Sequence, residues 1–264
     1  MKYDPRRPGI GHVIEDIDPK QFRFELFETL GTNSGHVDDA RRDAKELFPG
    51  EFFLINTAFF HPRREGGGNR IYGDILALSK SKSWQKIFRA WPQPNDLRGY
   101  NRHVFAISEF GYPTIFLRSE IHFWGNDAEN EIRRQYPLFL GGLGLLVSRG
   151  KREAKQDFEA RLRRSANVKD PRPGEECPQF QSDVVGDTPS PRPAIGIKED
   201  GKLIVVVSNS MTAHSLHEKM CDLGVWDAVF LDGGGSTSLA DSNKVIVSGG
   251  RDRDIPCWLA FGPK

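Results

Sequence analysis

The sequence predicts an α+β fold: one domain on a mixed, twisted β-sheet, with few helices and one βαβ unit near the C-terminus. Three observations predict it. The chain of 264 residues carries 27 Gly and 17 Pro, above average usage, which argues for many turns rather than a helical bundle. Most apolar runs are short and bounded by turn residues, and only a few stretches repeat at helical spacing. Between residues 203 and 231 a strand, a helix and a strand follow one another. Hydrophobic content is 38%, but 18 Phe and 5 Trp supply large areas to bury and argue against disorder.

Along the chain, the first twenty residues read as irregular. Residues 21–29 alternate Phe22, Phe24 and Leu26 with polar neighbours, the period of a half-buried strand. Residues 37–48 place Val37, Ala40, Ala44, Leu47 and Phe48 on one face at helical spacing, with Ser34 as cap. Residues 51–55 form a short apolar strand that delivers Asn56, Phe59 and Phe60 into a Gly-rich loop ending at Gly68. Strands follow at 74–78, 104–108, 114–116 and 143–148, with a hairpin turn at 109–112 and Gly150 closing the last. Residues 149–164 interleave Glu153, Asp157 and Glu159 with Lys and Arg, the pattern of a solvated surface helix, and an exposed Pro-rich loop runs from 169 to 193.

The last third has the clearest pattern. Residues 194–197 and 203–207 flank a turn in which Asp200-Gly201 suits a tight hairpin. Thr212 caps a helix over 213–223 whose Leu216, Met220 and Leu223 share a face and which Gly224 ends. A strand over 227–231 runs straight into Asp232-Gly233-Gly234-Gly235-Ser236, and strands over 244–247 and 257–261 finish the chain. This order predicts a parallel βαβ unit with a right-handed crossover.

Composition excludes several functions. The net charge of +1 makes no general bid for nucleic acid or an anionic membrane. No run approaches the roughly 20 apolar residues of a membrane span, and the N-terminus has no apolar leader. The localisation expected from this is cytoplasmic, with a secreted mature form as the alternative. Cys177, Cys221 and Cys257 are odd in number and far apart, so no disulfide framework or zinc site is expected. The seven histidines are scattered; His214 and His217, three apart on one helix, read as a surface pair. No cofactor and no metal follow from spacing, although Asp232 with nearby hydroxyls has the chemistry for a hard cation.

In a βαβ unit the loops after both strands open at one sheet edge, where ligands bind. That edge carries Ser208, Asn209 and Thr212 from one loop and residues 232–238 from the other. Three consecutive glycines after a buried strand are costly to order, and they suit a place where backbone N–H groups crowd around an anion. Asp232, Ser236, Thr237 and Ser238 add a carboxylate and hydroxyls. Neither Walker nor Rossmann spacing fits this loop, so a nucleotide cofactor is not expected.

The segments LINTAFFHP (54–62), FLGGLGLLVSRGK (139–151), PRPAIGIKEDGKLIVVV (191–207), SMT (210–212) and VFLDGGGSTSLA (229–240) occur in an order that resembles the phosphodiester glycosidase family. The resemblance runs from about Glu51 to the end. Residues 1–50 then supply a strand and a helix to the same domain, and motifs spread from Asn56 to Asp232 argue for one domain over 1–264. The resemblance implies hydrolysis of a sugar-1-phosphodiester at the C1–O bond, releasing a free sugar and a phosphomonoester. Arg192, matching the arginine before the family's AIG, becomes the phosphate clamp, since a planar fork binds phosphate bidentately. Arg253 is a second candidate. Asp232 falls on the sugar side, as nucleophile, base for water or oxocarbenium stabiliser. Gly233, Gly234 and Gly235 let substrate approach the backbone, Ser236, Thr237 and Thr212 bond substrate oxygens, and Asn56 comes from the family's ING-type loop.

The chain departs from the family pattern at several places. INGGFF is replaced by Asn56-Thr57-Ala58-Phe59-Phe60, the carboxylate of VVVDG is lost at Ser208-Asn209, GGGSSTM becomes GGGSTSL, and Cys257 stands near a common asparagine. The phosphate-facing half is kept and the sugar-facing half is altered. Expected partners are therefore a sugar-1-phosphodiester or phosphorylated glycan, such as a teichoic-acid-like or exopolysaccharide polymer or a nucleotide sugar. The alternative is a non-catalytic binder of phosphorylated sugars or nucleotides that kept the anion nest. Structural readings stand beside the functional ones: Arg192 paired with Asp187, Phe59 and Phe60 as core, and Tyr112, Glu120 and Trp124 on a strand face.

Overall fold

The computed structural model describes residues 1–28, 37–57, 60–61, 70–71, 75–77, 103–117, 134–166, 188–248, 255 and 257–264. Arg253, Cys177, Asp187, Phe59, Glu120, Trp124, Ser34 and residues 169–187 of the expected Pro-rich loop lie outside them; from Ser190 on, that stretch is strand rather than loop, because it pairs with neighbouring strands.

The described strands, in chain order, are β1 (Lys2–Arg7), β2 (Gly11–Ile17), β3 (Phe22–Glu28), β4 (Phe53–Asn56), β5 (Phe60–His61), β6 (Arg70–Ile71), β7 (Ile75–Ala77), β8 (His103–Ile107), β9 (Pro113–Leu117), β10 (Leu138–Val147), β11 (Ser190–Lys198), β12 (Leu203–Met211), β13 (Val225–Phe230), β14 (Leu239–Asp241), β15 (Val245–Val247) and β16 (Cys257–Pro263). The helices among them are α1 (Val37–Leu47), α2 (Lys155–Ala166) and α3 (Ala213–Asp222). No helix among the described residues is long and apolar enough to cross a membrane.

The protein is mostly β-sheet. A nine-stranded sheet runs β1-β2-β12-β11-β13-β10-β8-β9, with β7 also paired to β10; a five-stranded sheet runs β15-β14-β4-β16-β3; β5 and β6 form a small ribbon. Side chains alternate across the large sheet as the strand period requires. Ile195, Ile197, Val205, Val207, Val229 and Leu231 join the small sheet in one core. Ala194, Ile204, Val206, Ala228 and Phe230 point the other way, against Phe158 and Leu162 of α2 and Leu216 and Met220 of α3. Phe53 to Asn56 of β4 are all buried, so both its faces are covered, and α1 packs beside it.

The structure corrects four expectations. First, the sheet is not mixed: every described pairing is antiparallel. Second, β12 and β13 do not pair with each other. The Asp200-Gly201 turn, closed by Gly201 N to Lys198 O at 2.9 Å, folds β12 back onto β11, and β11 then takes β13 on its other side. The two strands around α3 run parallel but one strand apart. Third, the first twenty residues form the β1–β2 hairpin, and β2 pairs with β12. The charges and Pro5 of β1 disguised it, and they are the features an exposed edge strand carries. Fourth, the charged helix begins at Lys155 rather than 149 and is not wholly solvated. Its Phe158 and Leu162 are buried one turn apart, each worth about 2 kcal/mol against exposure.

Gly196, the glycine of the AIG segment, sets how closely α3 approaches the sheet. A Cβ there would lie 2.7 Å from Val225 Cγ1 and 2.9 Å from Met220 Cε, closer than atoms pack.

Candidate functional site

The hairpin register brings the motif residues to one sheet edge. Ala194 pairs with Phe230, and Leu231 N still donates to Pro193 O at 3.0 Å, so Arg192 and Asp232 reach the same level beyond the last rung. Arg192 faces Ser208 across the β11–β12 pair, and its N–H donates to Ser208 Oγ at 3.0 Å. Arg192 is only 4 % exposed, and its Nε donates to Met211 O at 2.9 Å, just before α3 begins. A guanidinium is thus held where the helix start adds a partial positive charge, a setting that favours an anion.

The glycine loop lies against this arginine. A Cβ on Gly233 would meet Pro191 O at 3.2 Å and the Cα and Cγ of Arg192 at 3.8 Å, so a side chain there would crowd β11 where the loop crosses it. Gly234 has φ +62°, the left-handed region that glycine enters without penalty, and Gly234 to Ser236 form one tight turn. Among the described residues, the N–H groups of Gly233, Gly234 and Gly235 have no backbone acceptor. Ser236 is buried, and its Oγ has no hydrogen-bond partner among the described residues. Asp232 is half-buried at the head of this loop.

Three expected substrate contacts are spent within the fold. Asn56 is wholly buried, its Nδ2 donating to Asp232 O at 2.6 Å and its Oδ1 accepting from Ser238 N at 2.8 Å. Thr237 is wholly buried and donates its hydroxyl to Pro191 O at 3.0 Å. Thr212 is the N-cap of α3: its Oγ accepts from Ser215 N at 3.1 Å and donates to Ser215 Oγ at 2.9 Å. Sequence reading missed Ser208 as the partner of Arg192; its place as the first polar residue after a run of buried apolar ones was the available signal.

His214 and His217 are not a surface pair. His217 is buried, with Nδ1 on Leu146 O at 2.8 Å and Nε2 accepting from Glu153 N at 3.0 Å, which fixes the neutral tautomer. His214 Nε2 meets Glu153 O at 3.0 Å, so the two rings hold both the backbone N–H and the carbonyl of Glu153. Burial pushes the His217 imidazole below its usual range and the Cys221 thiol above it. Groupings of three or more metal-capable side chains are absent among the described residues. Tyr112 is exposed at the β8–β9 turn, with Lys20 Nζ over its ring at 4.4 Å.

No curated protein matches the sequence. The fold resembles the catalytic domain of zebrafish N-acetylglucosamine-1-phosphodiester α-N-acetylglucosaminidase, with TM-score 0.63 and 18% identity over 100% of this chain and 81% of that one. It also resembles a Burkholderia pseudomallei protein, with TM-score 0.50 and 14% identity over 96% and 73% of the two chains. At these identities the likeness speaks for the fold alone. The sequence matches the phosphodiester glycosidase family over residues 116–261, more than half the chain, a span that holds Arg192, Thr212 and the 232–238 loop and leaves out Asn56. The chain belongs to the phosphodiester glycosidase family.

Proposed function

We propose that the protein hydrolyses a sugar-1-phosphodiester at the C1–O bond, releasing a free sugar and a phosphomonoester. The observation that carries this reading is the packing of the Asp232 glycine loop against a buried, anchored Arg192. As the bond from C1 breaks, its electron pair stays on the phosphate oxygen and negative charge grows there. A fixed guanidinium and oriented N–H groups stabilise that charge more than they stabilise the ground state. Positive charge grows at the sugar carbon, where the Asp232 carboxylate acts as nucleophile, as base for water or as stabiliser. The water oxygen ends on C1, and its proton leaves to phosphate or solvent.

A second reading is a binder of phosphorylated sugars without turnover. It is favoured by one observation: the Asn56 amide and the Thr212 and Thr237 hydroxyls are engaged within the fold, so three of the expected substrate-binding groups already have internal partners. A panel of sugar-1-phosphodiesters, with nucleotide sugars and glycan phosphodiesters included, separates the two. Turnover in heavy-oxygen water that yields free sugar and unlabelled phosphomonoester supports C1–O cleavage. Sugar-1-phosphate as product, or label in the phosphate, overturns it. Saturable binding without turnover across the panel selects the binder.

A further inference from the structure

Asn56 stands at the end of β4 in the small sheet, and the 232–238 loop leaves the large sheet after β13 to enter the small sheet at β14. Its side chain reaches both ends of that loop. One end offers a carbonyl, Asp232 O, and the other an N–H, Ser238 N, so only one orientation of the carboxamide satisfies both, and each bond is short, at 2.6 and 2.8 Å. The next residue completes the grip: Asp232 N donates to Thr57 O at 2.9 Å. Thr57 is itself fixed, with its N and Oγ1 each 3.2 Å from Cys257 O on β16. Both backbone groups of Asp232 therefore end on the last two described residues of the β4 segment, and the bearing of its carboxylate is set from the small sheet.

From this geometry we infer that Asn56 is a positioning residue for Asp232: it touches no substrate and fixes where the glycine loop begins and ends. The inference rests on Asp232 acting in the proposed reaction. Being wholly buried, Asn56 has no surface to offer a ligand. Its leverage comes from distance, because a misplacement of about 1 Å at a reacting group costs on the order of 100-fold in rate.

The test is Asn56→Asp, which keeps the shape and the acceptor for Ser238 N but replaces the donor to Asp232 O. With the carboxyl ionised, kcat falls about 100-fold while KM stays within about threefold of the wild type. Burial raises the pKa of the new carboxyl, and protonating it restores a donor, so activity relative to wild type recovers as pH falls. A raised KM with unchanged kcat would make Asn56 a substrate contact and overturn the inference. So would a loss with no recovery at low pH, the outcome of a merely structural role. Should the wild type turn over nothing, that failure belongs to the proposed function, and a crystal structure of Asn56→Ala decides separately. A 232–238 loop displaced from the Arg192 side supports the positioning role, and an unmoved loop overturns it.

Discussion

Arg192 and Met211 are joined across the end of a hairpin: the Nε of the first donates to the carbonyl of the second at 2.9 Å, one residue before the cap of α3. The bond uses one corner of the guanidinium to orient the rest and ties the β11 terminus to the helix start.

Replacing Arg192 by Lys keeps the charge and loses both the anchored corner and the planar fork. We expect kcat/KM to fall by at least about 100-fold on whichever sugar phosphodiester the wild type cleaves. The Met211 carbonyl left unpaired costs about 1–3 kcal/mol of stability. Steady-state kinetics with urea melts of the same variant check both, and wild-type kinetics in the Lys variant would remove the fork from the mechanism.

Ser236 and Thr237 are adjacent buried hydroxyls with opposite expectations. Thr237→Val loses the bond to Pro191 O and is expected to destabilise by about 1 kcal/mol. Ser236→Ala removes a hydroxyl without a described partner, so stability should hold or rise, by at most about 1 kcal/mol, while substrate affinity falls. Thermal melts alongside binding assays read the contrast; a clear loss of stability in Ser236→Ala would show that its hydroxyl already serves the fold.

Gly196→Ala pushes a methyl into Val225 and Met220 and lifts α3 from the sheet. The expected cost is about 1–3 kcal/mol, the range for overpacking a full core. Equilibrium unfolding measures it, and a neutral result would mean that α3 shifts without loss.

Stability should fall on mild acidification. Burial, with the positive charge of Arg161 adding to it, pushes the His103 imidazole down to about 4, and burial also lowers His217 and His12. The unfolded chain takes up protons near the ordinary histidine value of about 6.5, so below it the unfolded state binds more protons and gains. His103 alone removes about 2 kcal/mol between pH 6.5 and pH 5. Urea midpoints at pH 7, 6 and 5 test this; a flat profile would contradict it, and His103→Gln should shallow the slope.

Where the pattern in the chain was local, it was legible. The Asp200-Gly201 hairpin, Thr212 as a cap, the α3 stripe of Leu216 and Met220, and the strand leading into the glycine loop each depend on neighbours a few residues away. The glycine loop stood out because three ordered glycines after a buried strand need a reason. The β1–β2 hairpin escaped notice because an edge strand has little to bury: Lys2 to Arg7 shows solvent a charged face, and nothing in it alternates.

Pairing was not legible in the same way. Periodicity says that 203–207 and 227–231 are strands, but it does not say that β11 lies between them, since that choice belongs to hydrogen bonds made between distant segments. The same holds for Asn56 and His217. A lone Asn after an apolar run has the same look as a ligand contact or a loop clamp, and two histidines three apart look alike on a surface or beneath it. Residue type and spacing thus established the family motifs, the turn chemistry and the candidate anion nest, all properties of short stretches. The hydrogen-bond partners of Asn56, Thr237 and Ser208 were decided only when chain segments far apart in sequence closed on one another, because whether a polar group meets solvent or a neighbouring backbone depends on what folding places within about 3 Å of it.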